Sequence, residues 1–191
     1  MGVFDSVTVE NDKIILSTWI EWVHRGIPDD DGITRELVRK SIEERHCLVC
    51  TSMDACFYPR NNMPVLPQHE GCDCYVKTIN YAKVKNLAQV NFPIGKLTNY
   101  IFNETNLNNK GKAKLFKLWG FSIEDSNYIQ DSLSTQALKS YLRGDFVIKG
   151  NNGYGTLIKI TVNLNGRTWG TGWIVQPQGK IKNVTPYADD I

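Results

Sequence analysis

The spacing of the cysteines constrains this chain more than any other feature of its sequence. Cys47 and Cys50 form a Cys-x-x-Cys pair, and after about eighteen residues His69, Cys72 and Cys74 follow as a second group. Zinc prefers thiolate and imidazole ligands in a tetrahedron, and a Cys-x-x-Cys turn places two sulfurs at the separation that one ion needs. The spacing therefore predicts a closed, structural zinc site.

Five candidate ligands exceed the four that a tetrahedral ion takes. Spacing leaves open which four bind, and whether His69, Cys72 or Cys74 is left out. Cys56 is the weakest cysteine candidate because it precedes Phe57 in a run that is typical of packing. The ligand set at this stage is the full group of five.

Two other interpretations of the thiols compete with metal binding. Cysteine is among the most buried residue types, so the thiols could simply fill a core. A catalytic thiol needs an activated cysteine beside a base, and His46 precedes Cys47 in the sequence. Adjacent residues on a helix point about 100° apart, so this pair is poorly placed for catalysis.

Composition indicates a globular protein without a membrane span. The chain has 191 residues, 41% hydrophobic and 22% charged, with a net charge of +2. These proportions are those of globular domains, and the charge is too mild to indicate nucleic-acid binding by itself. No apolar stretch is long enough to cross a bilayer, and the first residues lack the features of a signal peptide. We therefore expect a cytoplasmic protein, in which an odd number of cysteines favours metal over disulfides.

The first half of the chain divides into two segments. Val7–Glu10 and Ile14–Leu16 have strand character, and apolar residues at helical spacing predict a helix between residues 34 and 47. Cys47–Val76 has three prolines, little periodicity and few residues that could build a core. A stretch this irregular needs a stabilising cross-link, and a bound zinc ion would supply one.

The second half predicts helices followed by strands. Helices are expected over Lys96–Phe102, over Lys112–Trp119 and after Ser122, whose capping partner Asp125 lies three residues on. Turn signals such as Asn165-Gly166 then separate four candidate strands. These strands are Phe146–Ile148, Thr156–Leu164, Trp169–Gln176 and Lys180–Thr185. The predicted fold class is α+β: a small zinc-stapled module over residues 1–90, then helices and a four-stranded antiparallel sheet over residues 91–191.

The cysteine region resembles a known family. Cys47-x-x-Cys50, the run Met53–Pro59 and the string Leu66–Cys74 are similar to the C-terminal part of phage head-morphogenesis proteins of the Mu F type. The sequence departs from that pattern at Glu70, where proline is usual, and at Asp73, where arginine is usual. The resemblance implies a phage or mobile-element origin and a virion-associated location as an alternative to the cytoplasm.

The second half resembles a small domain of unknown function. Lys96–Asn103, Gly111–Phe116 and Trp119–Phe121 are similar to a domain found at the C-termini of phage head proteins and polymorphic toxins. Its order, helices and then an antiparallel sheet, is also that of the barnase, EndoU, colicin and RelE ribonucleases. The resemblance implies an RNA-directed toxin, with RNA and an immunity protein as partners.

A metal-independent ribonuclease would need cations and a proton-transfer group in this domain. The three histidines all lie before residue 70, so no histidine pair is present in the second half. The candidate catalytic residues are Lys149, Lys159, Arg167 and Tyr154, of which the lysines flank the Gly-rich run 150–155. Lysines at alternate strand positions are otherwise typical of a solvated face. The competing function is a non-catalytic adaptor that binds a phage or host protein.

Overall fold

The computed structural model describes residues 7–10, 13–16, 18–24, 48–72, 74–109 and 111–187. It has the predicted α+β class, with two sheets of three and five strands, a two-stranded hairpin and several helices. The helix predicted between residues 34 and 47, together with Cys47, lies outside the described residues. None of the helices that the structure describes combines the length and apolar character needed to cross a membrane.

The N-terminal strands form a hairpin and the centre of a small sheet. β1 (Val7–Glu10) and β2 (Lys13–Leu16) pair antiparallel, which confirms the two predicted strands. β3 (Trp19–His24) lies between β4 (Phe57–Pro59) and β5 (Cys74–Ile79) in an antiparallel sheet. All six residues of β3 are buried, so it carries no polar alternation and the sequence analysis missed it.

The helices pack mainly against the five-stranded sheet. The α-helices in the described part of the chain are α1 (Leu48–Met53), α2 (Tyr81–Leu87), α3 (Lys112–Leu118) and α4 (Ser126–Arg143). The helix predicted over Lys96–Phe102 is a short π-helical turn, Lys96–Ile101. The predicted cap is also present, because the Ser122 hydroxyl and backbone N–H both donate to Asp125 at 2.9 and 2.7 Å.

The larger sheet has five strands, not four. The strands are β6 (Gln89–Asn91), β7 (Val147–Asn152), β8 (Gly155–Leu164), β9 (Arg167–Gln176) and β10 (Lys180–Thr185). Their order is β6-β10-β9-β8-β7, where β6 pairs parallel to β10 and the other pairs are antiparallel. The four predicted strands therefore form the antiparallel part of the sheet, and the prediction missed the fifth strand, β6, because three residues give no pattern.

The hydrophobic core draws on both halves of the chain. Met53, Phe57 and Tyr58 are at most 2% exposed and belong to the same cluster as Ile158 and Trp173 of the five-stranded sheet. The expectation that Cys47–Val76 contains few core residues is therefore wrong for its first part, where α1 and β4 pack on the larger sheet. The division of the chain at residue 90 stays a prediction.

Candidate metal centre

Three of the predicted ligands converge on one point. Cys50 lies on α1, His69 in the loop after β4, and Cys72 just before β5. The Cys50 Sγ is 3.2 Å from the His69 Nε2 and 3.6 Å from the Cys72 Sγ. Ligands of a tetrahedral zinc, each about 2.0–2.3 Å from the ion, lie roughly 3.3–3.8 Å from one another. The separation of the Cys50 and Cys72 sulfurs lies within that range, and the separation of the Cys50 Sγ and the His69 Nε2 lies just below it.

A tight turn brings His69 and Cys72 to the same side. The Cys72 backbone N–H donates to the His69 carbonyl at 3.2 Å, and Gly71 has a φ of +72°, a conformation that glycine adopts without strain. The His69 Nδ1 lies 2.8 Å from the Glu70 carbonyl oxygen. A histidine that donates from Nδ1 to a carbonyl presents Nε2 as a ligand, and this contact fixes the ring orientation.

Cys74, the first residue of β5, lies beside this group. Its half-buried thiol has a pKa raised to about 11, chiefly by burial. Burial likewise raises the pKa of the Cys50 thiol, and the neighbouring Cys74 and Cys72 raise it further. Burial acts in the same direction on Cys72, but hydrogen bonds with the backbone of Gln68 and Cys74 and with the Cys50 and Cys74 thiols together outweigh it and lower the pKa. Burial and mutual repulsion disfavour the thiolate forms of Cys50 and Cys74, and a bound metal ion would supply the positive charge that stabilises them.

The donor set could therefore bind a metal such as zinc. The ligand atoms of Cys50, His69 and Cys72 all lie within 4.8 Å of one another. Cys50 is buried, Cys72 is partly buried and His69 is exposed. Cys47 lies outside the described residues, so the choice of Cys47 or Cys74 as the fourth ligand stays a prediction.

The four predicted catalytic residues are not brought together. Tyr154, 79% exposed, lies in the turn before β8, and Arg167 is the first residue of β9 beyond the far end of β8. Ten strand residues span about 30 Å, so these two side chains begin at opposite ends of the sheet. Lys149 and Lys159 lie on the neighbouring strands β7 and β8, where Lys159 is paired with Val147. Their catalytic roles stay predictions.

The metal-ligand segment also contacts the Gly-rich turn between β7 and β8. The Asn151 side-chain amide donates to the Gln68 side-chain oxygen at 2.6 Å, and the Ser52 hydroxyl donates to the Asn152 carbonyl at 2.9 Å. The sequence analysis considered this run only as the segment between two candidate catalytic lysines, Lys149 and Lys159. These contacts join residues more than eighty positions apart, so no local pattern could have indicated them.

Comparison with known proteins shows a family for the second half. The sequence model of a family described as a domain of unknown function (DUF6883) matches residues 83–190. The match covers more than half of the chain, so the chain belongs to this family. Comparisons with curated proteins and with solved structures find no match. The expectation of a C-terminal domain of unknown function is confirmed, whereas no phage or toxin name is supported. The metal centre precedes the matched region.

Proposed function

We propose that this chain is a zinc-stabilised binding protein, in which the metal has a structural role and the DUF6883 domain contacts the partner. The observation that carries the proposal is the convergence of Cys50, His69 and Cys72. The Cys74 thiol acts on the pKa of Cys50 and is a candidate fourth ligand. Thiolate and imidazole ligands in this number are typical of zinc, and a closed set of four is typical of structural sites.

The position of the site supports a structural role. Cys50 is 1% exposed, and in the proposed site the fourth ligand in place of water is either Cys74, whose thiol raises the pKa of Cys50, or Cys47. A catalytic zinc instead keeps one open position for water or substrate. The metal would join α1 to the loop before β5, where Val65 and His69 are exposed and burial contributes little.

The DUF6883 domain favours binding over catalysis. The inner face of β9 is filled by Trp169, Thr171 and Trp173, all at most 3% exposed. A partner would therefore contact the outer face or an edge of the sheet. No histidine lies in the matched region, which removes the commonest acid–base group.

The second candidate function is an RNA-cleaving effector of phage or mobile-element origin, with an immunity protein as its partner. It is favoured by the order of helices before the sheet and by Lys149 and Lys159 on neighbouring strands. Two such ammonium groups would offset the charge that develops on a phosphodiester during cleavage.

Metal analysis tests the structural proposal. Purified full-length protein should contain about one zinc per chain, and Cys50→Ser and Cys72→Ser should each lose most of it. Cys56→Ala is the matched control, because Cys56 is a buried cysteine whose thiol instead contacts the Ser52 and Val175 carbonyls. Metal-free protein that is folded as well as the wild type would contradict the proposal.

Expression of the full chain in a bacterium separates the two functions. Growth arrest with RNA cleavage, relieved by Lys149→Ala or Lys159→Ala, would establish the effector. Normal growth with intact RNA, while the zinc content stays near one per chain, is the result expected for the binding protein.

A further inference from the structure

The thiols of Cys50 and Cys72 are close enough to react with each other as well as to share a metal ion. Their sulfurs lie 3.6 Å apart, and both cysteines are reduced in the structure. A disulfide bond is about 2.05 Å long, so the two sulfurs would have to approach each other by about 1.5 Å to form one. The geometry of this pair therefore suits oxidation as well as metal binding.

The two cysteines differ in their access to solvent. Cys50 is 1% exposed on α1, whereas Cys72 is only partly buried and follows the exposed His69 in the loop before β5. Cysteine oxidation follows exposure and thiolate character, and a metal-bound cysteine is a thiolate. A small oxidant such as a peroxide would therefore reach Cys72 first, and Cys50 is the neighbouring thiol that can react with the oxidised Cys72.

We propose that Cys50 and Cys72 are an oxidation site, at which a disulfide replaces the metal when a peroxide is present. This inference rests on the proposed function in that the same two thiols bind the zinc. The disulfide removes two of the three converging ligands, so the metal is released. It still joins α1 to the loop before β5, so the cross-link is kept in both reducing and oxidising surroundings.

The oxidation consumes one peroxide and two thiolates. The Cys72 sulfur attacks one peroxide oxygen, the O–O bond breaks, and Cys72 becomes a sulfenic acid while hydroxide leaves. The Cys50 thiolate then attacks the Cys72 sulfur, so the S–S bond forms, the S–O bond breaks and a second hydroxide leaves. Two electrons pass from the two sulfurs to the peroxide, and solvent protonates both hydroxides to water.

The test treats zinc-loaded, full-length protein with hydrogen peroxide. Released zinc is measured with a chromogenic chelator, and the disulfide is located by peptide mapping under non-reducing conditions. About one zinc should be released for each Cys50–Cys72 disulfide that forms. A dithiol reductant should then restore both thiols and the binding of zinc.

Cys72→His is the main variant, because imidazole is also a zinc ligand but cannot form a disulfide. It should still bind zinc, and under peroxide it should release the ion at least about tenfold more slowly than the wild type. Cys56→Ala is the matched control and should release zinc at the wild-type rate, because the buried Cys56 thiol contacts the Ser52 and Val175 carbonyls.

Thermal unfolding of metal-free protein gives a second measurement that does not depend on zinc. Cys50 and Cys72 are 22 positions apart, so their disulfide would close a loop in the unfolded chain. The oxidised metal-free protein should melt about 8 °C above the reduced metal-free protein. Cys72→His should show no such difference between the two conditions.

Zinc release without a Cys50–Cys72 disulfide would overturn the inference, as would a disulfide from Cys50 to Cys47 or Cys74 instead. Zinc-loaded protein that keeps its metal and its thiols under peroxide would also overturn it, and would leave the structural zinc standing. Protein that is purified without zinc but forms the Cys50–Cys72 disulfide would refute the structural metal and support the oxidation site.

Discussion

Removing the Tyr58 hydroxyl tests whether β4 and the larger sheet form one cooperative structure. In the wild type, the hydroxyls of Tyr58 on β4 and Thr156 on β8 lie 2.7 Å apart, and both residues are fully buried. Tyr58→Phe leaves the shape of the core unchanged but takes this partner from the Thr156 hydroxyl. A buried polar group left without a partner costs about 1–3 kcal/mol, so the free energy of unfolding should fall by about 2 kcal/mol.

A double-mutant cycle assigns that loss to the pair. Thr156→Val keeps the β-branched shape, and the double variant removes both hydroxyls, so its loss should be smaller than the sum of the two single losses by about 1–2 kcal/mol. The assay is urea unfolding followed by tryptophan fluorescence and by circular dichroism, which should give coincident transitions. Additivity of the two substitutions within about 0.4 kcal/mol would refute the reasoning, as would separate transitions for the two sheets.

Three further predictions concern pH, metal and backbone. Burial holds the pKa values of Tyr58 and Tyr141 well above 10, so their contribution to stability is fully present below the unfolded pKa of about 10 and is lost as pH rises above it. Tyr141→Phe should therefore reduce the fall in unfolding free energy between pH 10 and 11 by about 1 kcal/mol, and an unchanged slope would contradict this. A chelator should lower the melting temperature by about 10 °C. This shift corresponds to a loss of about 4 kcal/mol in stability, the value for a metal present at a thousandfold excess over its dissociation constant. Cys72→Ser should abolish the effect of the chelator. Gly155→Ala should lower the free energy of unfolding in urea by about 3 kcal/mol or more. The added Cβ would lie 2.3 Å from the Val175 carbonyl oxygen, and Gly155 has a φ of +129°. In the control Gly153→Ala the added Cβ meets nothing closer than 3.7 Å, so the loss should be less than about 1 kcal/mol.

Strands and turns with local signals were predicted well. The Asn165-Gly166 turn has positive φ at both residues, +51° and +74°, as a two-residue hairpin requires, and it fixes the ends of β8 and β9. The predicted strand Lys180–Thr185 matches β10 to the residue. These elements follow from alternation and from turn chemistry, which act over a few residues.

Elements set by distant contacts were missed. β3 is buried along its whole length, because β4 and β5 cover its edges and the core covers its faces, so its sequence lacks the alternation of an exposed strand. β6 is defined as a strand only by its parallel pairing with β10, which lies about ninety positions further along the chain. No sequence pattern of its own indicates it. α1 has six residues and no acidic residue in its first turn, which is too weak a signal to define a helix.

The metal centre shows what the spacing of cysteines and histidine can predict about a ligand set and what it cannot. Two clusters of metal-type residues, one containing Cys50 and the other His69 and Cys72, were sufficient to predict that these side chains meet. Spacing could not choose the fourth ligand, because Cys74 follows Cys72 by two positions and its approach depends on how β5 pairs with β3.

The contacts around the candidate metal centre explain how a site outside the DUF6883 match can matter to the DUF6883 sheet. Gln68 precedes the ligand His69 by one residue and binds Asn151, while Ser52, two residues after Cys50, binds the backbone of Asn152. Both bonds end on β7, which forms one edge of the sheet. A metal that holds Cys50 and His69 together would therefore also hold the two partners of that edge at a fixed separation, so its loss should loosen the β7–β8 turn while leaving the opposite edge, β6 with β10, unchanged.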